Sequence, residues 1–261
     1  MRSRSSAVLL ALAIAALAPS LGVAQYAPKW HAGDWWVTKT WHESVSGEWA
    51  WSFTRYDIIG IEKVGKRDCF VVESRDQGLD GRLAEAHTAF YVRTDDWLVV
   101  RQVIAHMYCN VLRSDTLERP RGLFGPFQSG EPRLPRFPLR LVSQDTEFRL
   151  LLRDDCAPRL REISQMADTA LVKRLLDDGN SENGQVVRPT GVVYQVRSEV
   201  GGNLQPGLPL PHEGSIGRSL QLWCVDQPWR LYEELVNCHG PNLTPVVMEK
   251  SWLVASGHGG G

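Results

Sequence analysis

Residues 33–104 repeat at a period of two, and no other property of this sequence restricts its folding as much. WWVTKTWHE follows Gly33-Asp34, so Trp35, Val37, Lys39 and Trp41 would share one face of a strand. EWAWSFTRYDII follows Ser46-Gly47 and puts Trp49, Trp51, Phe53 and Arg55 on one face in the same way. A turn at 44–47 joins the two. IGIEKVGKRDCFVVES adds a turn at Gly65-Lys66 and a strand over 68–74. AHTAFYVRTDDWLVVRQVIA adds two strands about Thr94-Asp95-Asp96. Five strands linked by short polar turns predict an antiparallel meander. The fold class expected is mainly β: a curved antiparallel sheet or open half-barrel, with at most one or two helices.

The pattern breaks at residues 119–140, RPRGLFGPFQSGEPRLPRFPLR, which hold five prolines and three glycines. Proline removes a ladder donor and fixes φ, so this stretch reads as a crossing loop, with Phe124, Phe127 and Phe137 as pins to the body. A strand is expected over 146–153. Residues 158–178 have helical character, from Pro158 to Gly179, with Leu160, Ile163, Ala167, Ala170, Leu171 and Leu175 at three- and four-residue steps. ALVKRLL within it also reads as a strand after a bend. Strands resume at GVVYQVRSEV, SLQLWCV, RLYEELV and VVMEKSWLV. One β-rich domain over 25–254 and a flexible tail over 255–261 follow from this pattern.

The first 24 residues read as an export signal. Arg2 and Arg4 precede the apolar run AVLLALAIAAL, Pro19 and Ser20 end it, and Gly22 and Ala24 suit cleavage before Gln25. The run is too short to span a bilayer, and no second stretch of about 18 apolar residues follows, so no membrane span is expected. No cysteine precedes Cys69, which argues against lipid attachment at the cleavage site. The chain is therefore expected in the periplasm or outside the cell. With Arg2 and Arg4 removed, 27 basic residues face 30 acidic ones, and nothing in that balance attracts a nucleic acid.

Five cysteines, Cys69, Cys109, Cys156, Cys224 and Cys238, include no CxxC pair, so a zinc ribbon, a thioredoxin-like site and a haem attachment are disfavoured. Export favours disulfides, and Cys224 and Cys238, flanking a hairpin, are the expected bridge. Buried free thiols are the alternative. The seven histidines form no HExxH or HxH spacing, so no metal site is expected. No GxSxG or SxxK nucleophile motif is present, and no cofactor motif. The acidic pairs Asp95-Asp96, Asp154-Asp155 and Asp177-Asp178 fall at turns or element ends, where aspartate serves local hydrogen bonding.

Six of the ten tryptophans lie between Trp30 and Trp51. Trp35, Trp41, Trp49, Trp51 and Phe53 are the candidate ligand-binding residues, able to stack on sugar rings or to line an apolar groove. Filling the core of a curved sheet is the other use for them. Trp35 and Trp36 point to opposite faces. The opening Gly33-Asp34-Trp35-Trp36, the strand ending near Gly60, Glu62, Val64, Gly65, the strand over 69–73 and the hairpin FYVRTDDWLVVRQ together resemble the periplasmic lipoprotein-carrier (LolA/LppX-like) superfamily over residues 30–105. That resemblance implies a curved antiparallel sheet around an apolar cavity partly closed by helices, although the helical lids are mostly absent here. The function expected is a non-catalytic exported protein that binds or carries an apolar or amphipathic ligand such as a lipid. The alternatives are a carbohydrate-active or hydrolytic enzyme and a structural module of the cell envelope.

Overall fold

A computed structural model describes residues 25–43, 47–109, 111–118, 134–135, 137–140, 144–149, 159–180, 184–201, 216–239 and 244–259. The strands are β1 (Gln25–Tyr26), β2 (Asp34–Glu43), β3 (Trp49–Val64), β4 (Arg67–Gln77), β5 (Leu83–Arg93), β6 (Val99–Tyr108), β7 (Val111–Glu118), β8 (Leu139–Arg140), β9 (Gln144–Arg149), β10 (Arg159–Met166), β11 (Val193–Gly201), β12 (Ile216–Cys224), β13 (Tyr232–His239) and β14 (Thr244–His258). One helix, α1 (Thr169–Asp177), lies between β10 and β11 among the described residues. The five strands expected over 33–104 are β2 to β6, paired in sequence order. Among the described residues, twelve strands form one open antiparallel sheet in the order β7-β6-β5-β4-β3-β2-β14-β13-β12-β11-β10-β9. β1 and β8 form a separate two-stranded ribbon.

The last strand sits in the middle. β2 to β7 make one meander and β9 to β13 another, and β14 bonds to β2 on one side and to β13 on the other. Residues 255–258, expected as part of a tail, are instead the end of β14. Gly257 pairs with Trp35 and His258 with Asp34. A Cβ at Gly257 would stand 2.8 Å from the Trp35 ring, so only glycine lets the strand pass beneath that indole. His258 Nδ1 lies 2.6 Å from Asp34 Oδ1, and the Gly259 N–H donates to the Gly33 carbonyl at 2.9 Å.

The sheet is strongly curled. In a flat sheet β5 and β12, six strands apart, would be separated by about 29 Å. Yet the Trp97 ring, in the β5–β6 turn, and the Trp223 ring of β12 each stand 5.1 Å from the Phe137 ring. Phe137 thus packs into the body, whereas Phe124 and Phe127 lie outside the described residues, as do residues 1–24 and 150–158. Around Phe137, one end of the concave face is filled. Trp30 stacks on Trp36 and on Trp229 at 5.5 and 6.0 Å, Trp36 on Tyr56 at 5.5 Å, and Tyr26 on Tyr194 at 5.5 Å. Tyr26 Oη donates to the Gln227 carbonyl and Trp30 Nε1 to the Pro228 carbonyl, whereas the buried Nε1 atoms of Trp36 and Trp229 find no hydrogen-bond partner among the described residues.

The helix expected over 158–178 is split. Residues 159–166 run as β10, with Glu162 and Ser164 buried on one face, the alternation of a strand. Asp168 then caps α1, its side chain accepting from the Ala170 N–H at 2.7 Å. Val172, Leu175 and Leu176 are the buried stripe of α1, at steps of three and one. α1 lies on the convex face, where Trp252 Nε1 donates to the Leu175 carbonyl at 2.9 Å. A side chain at Gly179 would collide with the Trp252 ring, which explains the glycine beyond the helix. No helix of the described residues is long and apolar enough to cross a membrane.

Candidate functional site

The concave residues of each central strand change character along its length. On β2 they run Trp36, Thr38, Thr40, His42. On β3 the residues opposite them run Tyr56, Thr54, Ser52. On β4 and β5 the series continue as Val72, Ser74, Asp76 and as Phe90, Thr88, with Ser74 opposite Thr88. The aromatic ends belong to the sealed cluster. The hydroxyl-bearing ends line an open cavity of about 490 Å³. Its floor is a grid of Thr38, Thr40, Ser52, Thr54, Ser74 and Thr88, six hydroxyls from four adjacent strands. Ile104 adds apolar surface to it, and Tyr56 and Phe90, themselves buried, close its border with the aromatic end.

Charged groups stand around this grid. His42, Asp76, Glu249 and Arg230 all line the cavity. Ser52 Oγ lies 3.4 Å from His42 Nδ1, and Glu249 is the cross-strand partner of His42 on β14. Arg230 marks the border with the sealed end. Its guanidinium stands 4.4 Å from the Trp229 ring and 2.5 Å from Glu233, and both side chains are almost wholly buried. Gln221 Nε2 donates to Glu233 at 2.9 Å, and Trp223 Nε1 donates to Gln221 Oε1 at 2.8 Å. The chain Trp223, Gln221, Glu233, Arg230 thereby carries a compensated charge from the core to the cavity wall. No three histidine, cysteine, aspartate or glutamate residues among the described residues stand together in a way that would hold a metal ion.

The aromatic residues proposed from the sequence lie on the other face of the sheet. Trp41 stacks on Trp49 at 5.8 Å and meets Trp51 at 4.8 Å, and Trp51 meets Trp252 at 5.6 Å. Trp35 stands apart, under Arg55 at 4.7 Å, and Phe53 pairs in register with Lys39. This is the convex face that α1 covers. Lys39, on the same face, is fully buried and donates to the carbonyls of Gly179 at 2.6 Å and Gly184 at 3.3 Å, with its ammonium 4.5 Å over Trp51. Burial pushes its pKa down. None of the five proposed residues lines the cavity. The residues that do were legible as the alternate positions of the same two strands, Thr38, Thr40 and His42 with Ser52 and Thr54.

The expected bridge between Cys224 and Cys238 is not made. Symmetric pairing about Pro228 would set Cys224 opposite Tyr232, but Leu222 is opposite Tyr232, Cys224 pairs with Val193, and Cys238 pairs with Ile216 at the far end of the hairpin. Cys224 is a buried free thiol that donates to Asp226 Oδ1 at 2.5 Å. Burial, and then the Asp226 hydrogen bond, push that thiol pKa up, and burial does the same for Cys69. Neither has the thiolate character of a nucleophile.

No protein-family model matches this chain, and no curated protein matches it. Among solved structures it is similar to a protein described as a lipoprotein from Parabacteroides distasonis. That match has 8% identity and a TM-score of 0.32, covering 87% of this chain and 96% of the other. It is also similar to a Bacteroides fragilis protein described as exported with a YmcC-like fold, at 8% identity and a TM-score of 0.28, covering 90% of this chain and 99% of the other. At those scores neither likeness carries an argument about this chain.

Proposed function

We propose that this chain is an exported binding protein whose concave cavity takes a polyhydroxylated ligand, a sugar or a sugar-bearing headgroup. Residues 1–24 are the export signal in this reading, and the mature chain starts at Gln25. The observation that carries it is the hydroxyl grid. Each of the six side chains can both donate and accept, and the half-buried Ile104 lies at the wall, so a sugar finds hydrogen bonds along its edge and an apolar contact beside them. An acyl chain fits this cavity poorly. Each methylene buried contributes about 0.8 kcal/mol. Each hydroxyl dried without a partner costs about 1–3 kcal/mol.

The test is calorimetric titration of the mature protein with soluble oligosaccharides, run beside fatty acids of increasing length. Saturable binding of an oligosaccharide, lost in a Thr40→Val/Thr54→Val double variant, supports the reading. Affinity that climbs with fatty-acid chain length would instead return the protein to the apolar-carrier class. Cleavage of a bound oligosaccharide, abolished by His42→Gln, would move it to the hydrolases through Ser52, His42 and Glu249.

A further inference from the structure

We infer that β7 is a self-complementary edge through which two copies of this chain join their sheets about a two-fold axis centred on Ser114. β7 ends the sheet, bonded to β6 on one side, with no strand of the described residues on the other. All eight of its residues are exposed, and they include Val111 at 58%, Leu112 at 47% and Leu117 at 46%. An edge strand with aliphatic side chains bare on both faces is a template for another strand.

Symmetry then leaves very few registers. Residues opposite each other on an antiparallel ladder project to the same face, while neighbours along a strand project to opposite faces. A two-fold axis normal to the sheet must therefore pass between a residue and its own copy. Centring on Arg113 sets arginine against arginine, and centring on Asp115 sets aspartate against aspartate. Centring on Ser114 sets Arg113 opposite the partner's Asp115, and Asp115 opposite the partner's Arg113. It also sets Val111 opposite the partner's Leu117, and Leu112 opposite the partner's Thr116. In this one register both arginines meet aspartates and Val111 meets Leu117. Within the chain Arg113 stands 4.7 Å over the Tyr108 ring and Asp115 lies 3.7 Å from His106, so both charges are already held on one face of the ribbon. The joined sheets keep their concave faces on the same side, so the pairing leaves both cavities open.

The experiment uses the mature chain carrying Cys109→Ser, which removes the exposed thiol at the hairpin tip. Adding Ser114→Cys puts the two new thiols opposite each other, at a separation that suits a cross-strand disulfide. Mild oxidation is expected to give a covalent dimer that is absent from the parent and from Leu112→Cys. Sedimentation equilibrium of the unmodified chain should show a monomer–dimer equilibrium. Arg113→Asp should weaken it about tenfold, and Arg113→Asp/Asp115→Arg should restore it. The variant positions are exposed, so folding is not at stake. A chain that stays monomeric at its solubility limit overturns the inference. So does a Ser114→Cys protein that does not crosslink, or growth past the dimer, which would mark β7 pairing with β9 of the next copy.

Discussion

The two ends of the concave face are built from the same strands and do opposite work. At one end Trp36, Tyr56 and Trp229 are buried against Trp30, with ring separations of 4.8 to 6.0 Å. At the other, two to four residues along, threonine and serine take the same positions and the cavity opens. One strand thus serves as core and as site according to where along its length a residue falls. The aromatic end holds the curl of the sheet, and the hydroxyl end is free to carry chemistry that a packed core would not tolerate. A substitution at the first end should therefore be felt as stability, and one at the second as binding.

The sharpest way to break this contrast is Trp36→Ala. Trp36 is fully buried, and its removal should cost about 3–5 kcal/mol in denaturant unfolding. A loss below about 1 kcal/mol would mean the sealed end is not core. At the border, Glu233→Leu leaves the buried Arg230 without its carboxylate and should cost about 3 kcal/mol, much of it recovered in Arg230→Met/Glu233→Leu. Additive losses in the double variant would deny that the pair acts as a unit.

Alkaline titration sharpens the contrast further. Burial raises the Tyr26 hydroxyl well above its usual range, and burial with the Glu234 hydrogen bond does the same for Tyr232. Above about pH 10 the unfolded chain loses these protons while the folded chain keeps them. Stability is then full below pH 10 and falls above it, by up to about 1.4 kcal/mol per pH unit for each group. Tyrosinate absorbance should show Tyr26 and Tyr232 among the tyrosines that ionise only with unfolding. The smallest stability effect belongs to the open end: Thr40→Val should change unfolding by under about 1 kcal/mol, yet weaken oligosaccharide binding about tenfold. A Thr40→Val protein that loses stability but binds unchanged would invert the comparison.

The meander was legible because its information is local. Alternation and turn residues fix each strand and its partner, and β2 to β6 appear where the pattern puts them. The site was less legible, for a physical reason. Alternation says that Trp35, Val37, Lys39 and Trp41 share a face, but not which face becomes concave. That is set by distant contacts, such as Trp97 and Trp223 meeting at Phe137, and by α1 docking on Trp252. The large aromatic residues drew attention to the face that α1 covers, while the smaller threonines marked the cavity. Over 158–178 the apolar steps of three and four blurred two elements, and Asp168, a good N-cap, was the residue that divided them. The cysteine pairing was suggested by adjacency in sequence alone, because any straight hairpin about Pro228 sets Cys224 near the turn and Cys238 at the far end, and β13 runs straight to Cys238 opposite Ile216.

The place of β14 sets the order of events when this chain folds. The two meanders expose their inner edges, β2 and β13, until residues 244–258 arrive between them. The closing contacts join residues about 200 positions apart, such as Ser256 with Trp36, and such closures are slow. No amount of the chain short of its C-terminal strand can commit to the finished sheet. Until β14 arrives, β2 and β13 each present an unpaired row of backbone donors and acceptors, so the half-assembled chain is open to a strand from another molecule in the place its own β14 should fill.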